Sequence, residues 1–155
     1  MSLVVLRDGD VHCILSAVGG STAAMGWGQL MDVSRNFLIT GAVFLVVGLL
    51  IGMYMGGSGD HSLSLAHAHI NLIGFVLSAI FALTYRSYAN MEASQLATYH
   101  FWLHLAGAVV VNVMLVMMLT GRITEAGMAP IAPIVELAIV IGVLLFLFNA
   151  WKNAR

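Results

Sequence analysis

The sequence predicts an all-α integral membrane protein, an up-down bundle of four helices. Three observations carry that expectation. Apolar residues make up 61% of the 155 residues and charged residues 8%, against about 45–50% and about 25% in soluble domains. The apolar residues gather into four long runs almost free of charge. Short, polar or Gly-rich segments separate the runs, and no period-two alternation marks a membrane barrel. Six cationic and seven acidic side chains are too few to clothe a water-soluble globule. They also provide no basic stripe for nucleic acid, and the high hydrophobicity excludes disorder. The single cysteine, Cys13, forms no internal disulfide and builds no thiolate metal cage alone.

Residues 1–36 read as an N-terminal extension expected to be poorly ordered. Arg7-Asp8-Gly9-Asp10 precedes an apolar Val11–Val18 that is too short to span, and a Gly, Ser and Ala stretch follows to Gly28. Residues 37–152 form the transmembrane domain. Its spans are Phe37–Met55, Leu63–Tyr85, Phe101–Thr120 and Pro130–Trp151. Each holds about 20 residues, so as a helix each covers roughly 30 Å. Gly56–Ser62, Arg86–Thr98 and Gly121–Ala129 connect them, and connections this short make consecutive helices antiparallel. Pro130 suits a helix start, where its missing N–H is not needed. Arg7, Arg35, Arg86, Lys152 and Arg155 fall on one side and Arg122 on the other, which puts both termini in the cytoplasm of a bacterial-type inner membrane. Tyr54, Tyr85, Tyr88 and Trp151 are then expected at the interfaces. Gly48 and Gly52 make a Gly-x-x-x-Gly pair, a hint of oligomerisation.

Ionisable groups inside a span are costly and mark function by default. His67, His69, His100 and His104 lie at or within the second and third spans. Counted from the outer helix ends, His67, His69, Asn71, Asn112 and Glu136 fall at similar depths, and the expectation is one polar layer facing the bundle interior. His67 and His69 differ by about 200° around a helix. They therefore serve two sites flanking the helix, not one metal. Imidazole suits iron, copper, zinc and nickel. With no thiolates and few carboxylates, haem iron is an economical fit, because haem brings four ligands of its own and needs only axial nitrogens. His100 and His104, at i and i+4, share a face at the cytoplasmic end. For His104 a hydrogen bond to a neighbouring helix and a ligand or propionate-contact role both stay open.

Two segments together resemble a known family. They are Ala66-His67-Ala68-His69-Ile70-Asn71-Leu72-Ile73-Gly74-Phe75 and Tyr99-His100-Phe101-Trp102-Leu103-His104-Leu105-Ala106-Gly107. In this order they resemble the C-terminal helices of the catalytic subunit of heme-copper oxidases and nitric oxide reductases. The nearest likeness is to the small stand-alone cytochrome c oxidase subunit I-like proteins. The resemblance implies a b-type haem, with His67 placed for a high-spin haem and His69 for a low-spin haem. It also implies Asn71 orienting His67, and Glu136 as a proton carrier or propionate neighbour. The departures are large. The full-length subunit has many more helices, and its copper-binding histidines and the other low-spin axial histidine have no counterpart here, so no complete oxidase is expected from one chain. The family's threefold arrangement of helices implies a homotrimer, or assembly with other membrane subunits, in which His69 of one chain and His67 of another clamp a haem. The function expected is electron transfer or binding of O2 or NO. The alternative is a haem-free structural or assembly subunit.

Overall fold

The computed structural model describes residues 32–155. The expectation for the N-terminal extension falls mostly outside them. Among the described residues there is no strand. Four helices are long and apolar enough to cross a membrane: α1 (Val33–Ser58), α2 (Ser64–Ser87), α3 (Gln95–Leu119) and α4 (Ala132–Asn153). Short helical turns, Ala89–Glu92 and Glu125–Met128, lie in the second and third connections.

The helix ends differ from the sequence expectation where polar residues cap. The first helix starts four residues before Phe37. The Asp32 side chain accepts from the Arg35 N–H and from the Ser34 hydroxyl, each at 2.9 Å, and Glu92 accepts from the Ser34 N–H at 2.9 Å. Two carboxylates thus meet the positive end of α1. Gly59, at φ 71°, closes the other end with its N–H on the Met55 carbonyl. The third helix begins at Gln95 rather than Phe101, because Ser94 caps it and the polar His100 is buried inside the bundle. The fourth begins at Ala132. Pro133, not Pro130, occupies its first turn.

Two helix pairs build the bundle, α1 on α2 and α3 on α4. Lipid tails are as apolar as leucine, so close packing and hydrogen bonds hold such pairs, not water exclusion. The first pair approaches through glycine. A Cβ at Gly41 would lie 3.2 Å from Ser78 Cβ, one at Gly48 2.5 Å from Asn71 Oδ1, and one at Gly52 3.0 Å from His67 Cε1. On the opposing helix, a Cβ at Gly74 would overlap the Phe44 ring. The Gly-x-x-x-Gly pair is therefore spent inside the chain. Gly107 does the same work for α3 against Ile139 of α4.

Within α2, Ile70–Val76 is π-helical, a wider turn that often marks functional sites. The lower end of the bundle gathers the start of α1, the end of α2, the start of α3 and the end of α4. Asn149 near the end of α4 donates to the Met91 carbonyl at 3.0 Å, and Phe146 lies 4.8 Å from Phe81, ring centre to ring centre. Helices α2 and α4 therefore run in the same direction. The core sits at this end: Phe37, Tyr85 and Met91 are fully buried, with Phe81 and Phe101 beside them.

Gly74→Ala should destabilise the fold by about 1–3 kcal/mol through overpacking against Phe44, read as a lower Tm in detergent. Asp32 has a carboxyl held below its usual value of 3.8, first by the Arg35 N–H and then by the Ser34 hydroxyl. A depressed folded-state pKa contributes stability above that usual value, and the contribution is lost as pH falls through the lowered one. Asp32→Ala should accordingly lower Tm at neutral pH and shrink the further loss on acidification.

Candidate functional site

The histidines fall into two groups with different surroundings. At the upper half of α2, His67 and His69 point to opposed faces, as the helical period requires. His67 faces α1. Its Nδ1 lies 2.9 Å from the Gly48 carbonyl; a carbonyl only accepts, so Nδ1 carries the proton. Asn71 donates to the His67 carbonyl at 2.8 Å, and its amide nitrogen lies 3.4 Å from both ring nitrogens. Gly52 leaves room for the ring. His67 is thus half-buried and fastened between two helices.

His69 is turned away from α1, on the face that also carries the exposed Leu65 and Leu72. Its Nδ1 donates to the Leu65 carbonyl at 3.0 Å. That bond fixes the tautomer and leaves the Nε2 lone pair for a partner outside this chain.

The expected polar layer does not close. Asn112 on α3 is buried; its amide donates to the Ala108 carbonyl at 2.8 Å and its Oδ1 has no partner. It borders a cleft of about 550 Å³ between α1 and α3, otherwise lined by side chains such as Val43, Phe44, Leu105 and Val113. Neither His67 nor His69 lines that cleft. Glu136 is exposed on α4. Depth along each helix was readable from the sequence, but the angular position of Glu136 was not, because α4 is apolar all round.

His100 and His104 belong to the lower core. They are 0% and 1% exposed, with ring centres 6.0 Å apart. Phe37 packs within 5.1 Å of one and 5.7 Å of the other, and Phe81 meets both edge-on. The Tyr85 hydroxyl lies 3.0 Å from His100 Nδ1, and Ser78 Oγ lies 3.2 Å from His104 Nε2. Tyr85 is therefore a fully buried partner of His100. For His104 the hydrogen bond to α2 is the role seen. Reasoning from the sequence placed Tyr85 at the interface and gave Ser78 no role. Their separations from the histidines along the chain, 15 and 26 residues, leave no local signal.

Among the described residues, no three or more His, Cys, Asp or Glu side chains converge on one point. A haem iron requires less, and His69 offers one nitrogen for it: Nδ1 is held by the Leu65 carbonyl and Nε2 is unengaged. Comparison with protein-family models, with curated proteins and with solved structures finds no match.

Tyr85→Phe should cost about 1–3 kcal/mol, because it leaves His100 Nδ1 unpaired in a dry interior. His100→Phe added to it should recover part of that loss. Thermal unfolding of the two single variants and the double variant gives the coupling.

Proposed function

We propose that this chain is an integral membrane protein of the inner-membrane type that binds a b-type haem through His69 and uses it to bind a diatomic gas or to pass electrons. The supporting observation is the state of that imidazole. Its Nδ1–H is held by the Leu65 carbonyl, the arrangement that orients metal-ligating histidines and raises their basicity. Bound there, haem would supply one-electron redox chemistry and binding of O2 or NO.

The protein's own part is to present one nitrogen at a fixed angle in a dry setting. Gly48, Gly52 and Asn71 lock His67 against α1, and this lock turns the opposite face of α2, with His69, outward. With His67 committed inward, a single axial imidazole favours gas binding over the six-coordinate electron carrier implied by the resemblance. It equally disfavours a clamp of His69 by the His67 of a neighbouring chain. Arg35, Arg86, Lys152 and Arg155 at the lower end support cytoplasmic termini.

A haem-free structural or assembly subunit is the second reading. It is favoured by His67, His100 and His104, each of which already has a hydrogen-bonding partner on another helix.

Reduced-minus-oxidised visible spectra, with and without carbon monoxide, separate the two readings. The parent protein, expressed with a haem supply, should show a reduced band that shifts with carbon monoxide. His69→Ala should lose at least nine-tenths of that band. His67→Gln, which keeps a donor for the Gly48 carbonyl, should retain it. A band that survives His69→Ala removes His69 as the ligand, and a colourless parent leaves the structural subunit.

A further inference from the structure

Glu136 is an exposed polar group on an apolar helix with no hydrogen bond in the described residues. It lies four residues into α4, whose hydropathy averages 2.3, and only 11% of that span is buried in the chain. It is exposed on a face continued by Val140, Val143 and Leu147. A carboxyl group facing hydrocarbon is costly and is found against a partner or a water-filled cavity.

A matching group lies on α2: His69 is half-buried between the exposed Leu65 and Leu72, with its Nε2 unengaged. The two lie at nearly the same level. Phe81 and Phe146 are in ring contact and so mark a common depth on α2 and α4. From that level His69 is twelve residues toward the upper end and Glu136 ten, about 18 Å and about 15 Å at 1.5 Å per residue. The helices run in the same direction, yet within one chain Glu136 has no hydrogen bond to His69, whose ring bonds only the Leu65 carbonyl.

The geometry points to a second copy of this chain as the occupant of both faces. The Glu136 face of α4 in one copy seats on the His69 face of α2 in the next, parallel and in register. A hydrogen bond between the Glu136 carboxyl group and His69 Nε2 across this contact gives both polar groups a partner, with Nδ1 still on the Leu65 carbonyl. The contact joins two different faces, and repetition of it makes a closed ring if the rotation between copies closes. The inference rests on the same free nitrogen as the haem reading. Iron and the neighbouring carboxyl are alternative partners for that one lone pair, so the haem-free protein is the form to test.

The test mixes two single-cysteine chains in a Cys13→Ser background, His69→Cys with one tag and Glu136→Cys with another, co-expressed without added haem and oxidised in the membrane. A mixed disulfide dimer between them is expected, with less than a tenth of that yield when Leu83→Cys, on the lower half of α2, replaces His69→Cys. Light scattering in mild detergent should show Glu136→Leu reducing self-association about tenfold, while Glu136→Gln, which still donates to Nε2, keeps it. Circular dichroism checks that each variant folds. A dominant Glu136→Cys homodimer would mean a symmetric α4 interface and overturn the proposal. So would equal yields with the Leu83→Cys control, or a parent that is monomeric and forms no mixed dimer. The interface is scored without haem and the haem reading by colour, so failure of one is visible apart from failure of the other.

Discussion

The close contact between α1 and α2 is the constraint on which the rest of the molecule depends. Three glycines on α1 and one on α2 bring the helices near enough for the Gly48 carbonyl to take the His67 ring proton. In a bilayer this geometry substitutes for the hydrophobic effect: dispersion contacts and a few interhelical hydrogen bonds supply the association. Once His67 is held, the helical period leaves His69 no choice of face. The orientation of one imidazole is thus a consequence of the other's, and the backbone of a neighbouring helix sets it.

The two ends of the bundle solve different problems. The lower end is a cluster of aromatic rings in which the Tyr85 hydroxyl meets His100 and the Ser78 hydroxyl meets His104 across α2 and α3, while His100 Nε2 and His104 Nδ1 keep no partner. It is closed by Asn149 on the Met91 carbonyl and by Glu92 on the start of α1. The upper end has fewer ring contacts and leaves Glu136 exposed and His69 half-buried with Nε2 unengaged. A packed aromatic core at one end and open polar groups at the other suit a protein whose chemistry or assembly takes place at the upper end.

The four helices were legible because charge is nearly absent from long runs, and a bilayer tolerates little else. The divergence of His67 and His69 was legible for the same reason that a helix has a period. Partners across helices were not. Phe37, Tyr85 and Ser78 look like ordinary span or interface residues until the chain brings α1, α2 and α3 together. The Gly-x-x-x-Gly pair shows the limit from the other side: the motif marks a close approach, but nothing in the sequence says whether the approaching helix belongs to the same chain. Glu136 and Asn112 matched the histidines in depth and missed them in angle, because in helices apolar on every side the buried face leaves no pattern.

The π-helical stretch at Ile70–Val76 gives α2 a joint in its phase. Above it sit His67 and His69; below it sit Ser78, Phe81 and Tyr85, which engage the lower core. One extra residue held in a wide turn offsets the two halves by about 100° relative to a regular helix. Loss of a single residue there would let the helix regularise without breaking the span. The lower half is anchored by its aromatic contacts, so the upper half would turn, carrying His67 off the Gly48 carbonyl and swinging His69 toward a different neighbour. The length of this segment, and not only its composition, therefore decides which way the two imidazoles look.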